Sequence, residues 1–123
     1  MQLDFQLLGT TIVPKEISRI TGISPDVELI QGERNKELNL PRKNVWSIKS
    51  KVQSEVLAEH WEDLEKALEQ SKEAIKDVAR TGQAVLTVVV TGGKRIPSIQ
   101  VPPKMSMFAG FVNAVIDIDH LQY

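Results

Sequence analysis

Two carboxylates near the end of the chain, Asp117 and Asp119, are the residues whose type and spacing best suit chemistry. They alternate with Ile116 and Ile118, which places both on one face of a strand, about 6.5–7 Å apart. Such a pair suits a divalent cation, or a division of labour between acid and base. No third ligand is specified nearby, because His120 points to the opposite face. A solvated polar face is the simpler account. His60 and His120 lack metal-binding spacing, and with no cysteine in the chain a zinc site would need several distant ligands. His60 precedes an apolar stripe by one position and reads as a boundary residue. The serines at 18, 24, 47, 50, 54, 71, 98 and 106 include none in a Gly-x-Ser-x-Gly elbow. Thr91-Gly92-Gly93-Lys94-Arg95 lacks the earlier glycine and the following hydroxyl of a phosphate-binding loop. Strand signals flank it, so a hairpin turn with two exposed bases is expected. These residues assign no catalytic group, no metal and no cofactor, and the expected protein is not an enzyme.

Charge is distributed in blocks although the net charge is only −1. From Glu33 to Lys51 there are six bases (Arg34, Lys36, Arg42, Lys43, Lys49, Lys51) against two acids. From Glu55 to Asp77 there are eight acids against three bases. The two segments could pair with each other or face partners. The basic stretch could touch a nucleic-acid backbone, but its one aromatic, Trp46, falls on the apolar side of a strand, and no nucleic-acid contact is expected. The acids Glu55, Glu59, Glu62, Asp63, Glu65 and Glu69 crowd one helical segment. Together with Asp117 and Asp119 they are the candidate contact residues for a basic protein partner, where complementary charge raises association rate and specificity.

The elements that must position these groups follow from periodicity. Leu3, Phe5 and Leu7 alternate with Gln2, Asp4 and Gln6 in a half-buried strand over residues 2–9. Pro14 opens a helix of about two turns and Gly22 stops it. Val27 to Ile30 reads as a short strand, residues 31–43 as a loop or hairpin, and Val45 to Ser50 as a strand. The strongest signal is a helix over about 54–80 with the stripe Leu57, Trp61, Leu64, Leu68, Ile75 and Val78, its gap filled at Ser71. Ser54 is its expected N-cap and Gly82 its stop, with acids early and Lys72, Lys76 and Arg80 late to complement the helix dipole. Ala84 to Thr91 is a β-branched run, apolar on both faces, and so a central strand. Gly92-Gly93 is expected to turn it back into a partner strand from Ile96 to Val101. Lys104 to Asn113 makes a short buried helix, and Val115 to Leu121 a last strand.

These elements predict a single α+β domain over residues 1–123: a twisted, mainly antiparallel sheet with one long amphipathic helix and two short ones. Its length matches one domain with a core of its own. The absence of cysteine suits a reducing compartment, the start lacks the basic region of a signal peptide, and the apolar runs fall far short of the roughly 20 residues of a membrane span. A cytoplasmic protein with no membrane contact is expected.

Four features taken in order resemble a family. They are Pro14-Lys15-Glu16-Ile17-Ser18-Arg19-Ile20-Thr21-Gly22-Ile23-Ser24-Pro25, the strand Val45-Trp46-Ser47, the helix from Leu57 through Leu68 with His60, and the closing Phe108-Ala109-Gly110-Phe111-Val112-Asn113-Ala114-Val115-Ile116-Asp117-Ile118-Asp119. This is similar to a bacterial domain-of-unknown-function family, number 4279, and the likeness spans nearly the whole chain. His120 departs from the family pattern, standing where an aromatic often sits. The resemblance implies no catalytic residues. Small stand-alone proteins of this kind look like immunity proteins that neutralise a cognate bacterial toxin, as in contact-dependent growth inhibition, by binding it tightly. The expected function is therefore toxin inhibition, with a nuclease as the candidate toxin, whose basic cleft the acidic helix masks. Charge reversal at Glu62 and Glu69 is the matching test. The alternative is a non-catalytic housekeeping or structural domain that self-associates, for example as a homodimer paired through sheet edges.

Overall fold

The alternating segment at the start of the chain becomes the middle of a sheet. The computed structural model describes residues 1–32, 43–93 and 98–121. Its elements are β1 (Gln2–Leu8), α1 (Pro14–Thr21), β2 (Val27–Leu29), β3 (Val45–Lys49), α2 (Leu57–Gln70), α3 (Lys72–Ala79), β4 (Gln83–Thr91), α4 (Pro103–Val112) and β5 (Ala114–Leu121). The five strands lie in the order β2-β3-β1-β4-β5. β1 is antiparallel to both β3 and β4, β2 is antiparallel to β3, and β4 runs parallel to β5. The fold is a mixed α+β domain with a mostly antiparallel open sheet and four helices among the described residues.

Register decides which side chains share a face. Phe5 lies between Ile48 and Leu86, and Leu7 between Trp46 and Ala84. This face is apolar from strand to strand, and the helices bury it. Phe108 of α4 meets Phe5 edge-on at 5.6 Å and Trp61 of α2 at 5.4 Å. Ser18 of α1 accepts the Trp46 Nε1–H at 3.1 Å. Ile75 and Val78 of α3 complete the same core. The opposite face carries the row Lys49, Asp4, Thr87 and Asp117 across four strands, and no described helix packs on it.

The helix expected over about 54–80 is two helices. Ser71 separates them with φ −115° and ψ 14°. Its Oγ donates to the Thr21 carbonyl at 2.9 Å, reaching out to the end of α1. A serine whose hydroxyl and backbone are used this way competes with the helical ladder. The Ser71 N–H closes a tight turn on the Leu68 carbonyl at 3.3 Å, and the Ser71 carbonyl accepts the first bond of α3 from Ile75 at 2.9 Å. The gap in the apolar stripe therefore marks a break. Ser54 is not the N-cap either. Val56 holds that position, and Ser54 Oγ accepts the Val56 N–H at 2.9 Å in a local turn.

Gly82 follows α3 and is required for a reason other than turning. A Cβ there would stand 2.4 Å from the Leu8 carbonyl oxygen, so only glycine lets the chain pass the end of β1 at this distance. The expected return strand at Ile96 to Val101 is not seen over its described part. Ser98 to Val101 is not a strand, while Lys94, Arg95, Ile96 and Pro97 lie outside the described residues. Pro103 instead opens α4, the chain crosses through the helical layer, and the neighbour of β4 on that side is β5. A parallel pair needs such a crossover, where a hairpin would have given an antiparallel one. In the basic segment, Arg34, Lys36 and Arg42 also lie outside the described residues, as does most of the loop expected over residues 31–43.

Candidate functional site

The acids of α2 differ in what already holds them. Asp63 accepts the Lys51 backbone N–H at 2.6 Å and fastens the segment leading into the helix. Glu65 accepts the Trp61 Nε1–H at 3.1 Å, one helical turn away. Glu69 lies 3.6 Å from Lys72, and Glu55, just before the helix, lies 3.6 Å from the amino group of Met1. Glu59 and Glu62 are exposed and have no hydrogen-bond or ion-pair partner among the described residues. They sit at i and i+3 on the side of α2 away from Leu57, Trp61, Leu64 and Leu68, which are all buried. That burial fixes the direction in which the two carboxylates project.

Asp117 and Asp119 do share a strand face, but it is not the face of the α2 acids. Asp117 is in register with Thr87 and, through it, Asp4 on the side without described helices. The eight expected contact residues thus fall on two sides of the sheet and do not form one patch. His120 is in register with Val90, on the helix-covered side. Among the described residues, no group of three or more His, Cys, Asp or Glu side chains gathers around one point.

His60 is buried, not a boundary residue. It is 0% exposed, and Ser50 beside it is 6% exposed. Their Oγ···Nδ1 distance is 2.7 Å. Ser50 Oγ also accepts the Leu3 N–H at 2.9 Å, so its proton is directed to the imidazole Nδ1. The other ring nitrogen, Nε2, donates to the Ser54 carbonyl at 2.9 Å. The pair has the spacing of a nucleophile and its base, yet both side chains are sealed in and every polar atom is spoken for. It locks the ends of β1 and β3 to α2 and the turn before it. The sequence carries no signal for this pairing, because Ser50 and His60 meet only once β3 and α2 are packed.

Between α2 and α4 runs a groove of about 570 Å³, with Met107, Phe108 and Phe111 on one wall and Glu65, Lys66 and Glu69 on the other. The break at Ser71 aims α3 so that Lys72 and Lys76 both lie over the Phe111 ring, at 4.9 and 4.7 Å. Each ammonium faces the negative π cloud, and Glu69 offsets their mutual repulsion at one end. Lys51, from the basic segment, turns its ammonium to Asp26 at 2.5 Å, and Asp26 also accepts the Lys49 N–H at 2.7 Å. Partial burial pushes the Asp26 carboxyl up, but the Lys51 ammonium and the Lys49 N–H outweigh it and hold its pKa below the ordinary carboxylate value.

These features define a two-layer α+β domain with an acidic helical surface on one side and an open strand face on the other. A family described as a domain of unknown function, DUF4279, matches residues 1–123, and the chain belongs to that family. Comparison with curated proteins and with solved structures finds no match. No described helix is long and apolar enough to cross a membrane.

Proposed function

We propose that this domain acts by binding another protein, as an immunity-type inhibitor of a bacterial toxin in the cytoplasm, and that the outer face of α2 makes the contact. The observation carrying this reading is the pair Glu59 and Glu62. Their neighbours Asp63, Glu65 and Glu69 are held by groups of the domain itself. Glu59 and Glu62 project from a helix anchored by four buried apolar side chains. A helix ordered in advance loses little backbone freedom on binding, and two carboxylates carried on it, unpaired among the described residues, suit the basic substrate cleft of a nuclease.

The test is isothermal titration against the domain encoded by any adjacent toxin reading frame, paired with a growth-protection assay. Charge reversal at both positions, Glu59→Lys with Glu62→Lys, should weaken binding by at least about tenfold with unchanged thermal stability, since exposed charges away from packed groups contribute little to folding. Unchanged affinity in the folded variant overturns the α2 interface. Failure of the unaltered protein either to bind that domain or to protect cells overturns the immunity reading itself.

A further inference from the structure

β5 is a long strand at the margin of the sheet. Its Leu121 carbonyl accepts the Gly92 N–H at 2.7 Å, just past the end of β4. In extended backbone the N–H and C=O of one residue project to the same side, and the side alternates along the strand. Leu121, Asp119, Asp117 and Val115 therefore bond toward β4, and Ile116, Ile118 and His120 turn their backbone groups outward. No described residue pairs with that outer row. Three apolar side chains along the strand, Val115, Ile118 and Leu121, are 51%, 42% and 42% exposed.

An edge of this kind is a template for another strand. Its charges decide which one. Antiparallel pairing with a second copy places residues of like parity opposite each other. A two-fold axis at Asp117 or Asp119 sets a carboxylate directly against its own copy, and one at Ile118 sets Asp117 against Asp119. Like charges directly opposite destabilise a sheet, so the register that would use the whole edge is repelled by the edge itself. A strand with two bases in the same alternation meets both carboxylates and lays its apolar side chains beside Ile116 and Ile118.

We infer that the β5 edge is a docking site for an extended basic segment of another protein, of the pattern base-apolar-base, added as a sixth strand. This site is independent of the α2 surface and of whether the partner is a toxin.

The probe is a blocked, fluorescein-labelled peptide, Thr-Val-Lys-Val-Lys-Val-Thr, titrated onto the full chain by fluorescence anisotropy. A peptide with Glu in place of both Lys is the control. Saturable binding of the Lys peptide is expected, at least about tenfold tighter than the Glu peptide, from two cross-strand charge pairs changing sign. Asp117→Lys with Asp119→Lys should reverse that preference. Ile118→Pro removes an outward N–H without touching the ladder to β4, a substitution edge strands accept, and should abolish binding of either peptide. Hydrogen exchange gives a second readout: on peptide addition the amides of Ile116, Ile118 and His120 should slow, while those of Asp117 and Asp119 stay as they were. The proposal falls if the Lys peptide fails to saturate, if the double reversal leaves the preference unchanged, or if exchange slows elsewhere only. It also falls if light scattering finds a dimer that Ile118→Pro dissociates, because the edge then serves a second copy.

Discussion

The two edges of the sheet are built on opposite plans. β2 is three residues long and fastened from several directions. Asp26, just before it, holds Lys49 and Lys51. Glu28 accepts the Ser18 hydroxyl at 3.0 Å, and that same oxygen accepts the Trp46 indole N–H. Gln31, just beyond it, donates its backbone N–H to Asn44 at 2.8 Å. β5 is eight residues long, and no side-chain hydrogen bond to it is seen among the described residues. Short length and side-chain ties are the usual protection of an edge against unwanted pairing. The difference teaches that β5 takes its order from β4 and from Ala114 and Ile116 packing against the core, and that its protection against copies of itself is electrostatic.

The largest effect should come from removing the support of β5. Leu86 is fully buried and stands beside Ile116 in register. Leu86→Ala should cost about 2–5 kcal/mol in chemical denaturation, and β5 should lose exchange protection before β2 does. Loss of protection at β2 first would break the comparison. Next comes the guarded edge. Ser18→Ala leaves the buried Trp46 N–H without its acceptor and Glu28 without its donor, a loss of about 1–3 kcal/mol. The same loss should free β2 without altering peptide binding at β5. The smallest effect is at Asp26. Its carboxyl is held below the ordinary pKa, so its contribution is present above the unfolded value, near about 4, and disappears as the pH falls through the lowered folded value. Asp26→Asn should cost about 1 kcal/mol or less at neutral pH, as for other exposed pairs. Wild type and variant should converge in stability in acid, which thermal melts between pH 7 and pH 2 would show.

Much of this architecture was legible in local pattern. Alternation marked β1 and β3, Pro14 and Gly22 bracketed α1, and the β-branched run of β4 marked an inner strand. What escaped was decided between distant residues. The break at Ser71 depends on the Thr21 carbonyl, which no helical periodicity contains. The choice of β5 over residues 96–101 as the partner of β4 depends on where α4 packs, although Gly92-Gly93 carries the composition of a hairpin turn. For the candidate site, the residue types were readable and their availability was not. Glu62 and Asp63 are adjacent acids in the sequence, yet only the packing of Lys51 distinguishes them. Likewise, parity along the strand paired Asp117 with Asp119 correctly, but only the sheet order separates that pair from the α2 acids.

The central place of β1 has a kinetic consequence. It pairs on one side with β3 and on the other with β4, so that Leu3 must meet Val88. The first of the strands to be synthesised is thus among the last to be completed. Until β4 emerges, β1 can pair with β3 alone, and the backbone edge that later meets β4 stays open. Pairing at such separation slows folding, and the nascent chain passes through an interval in which the edge of β1 has no second partner.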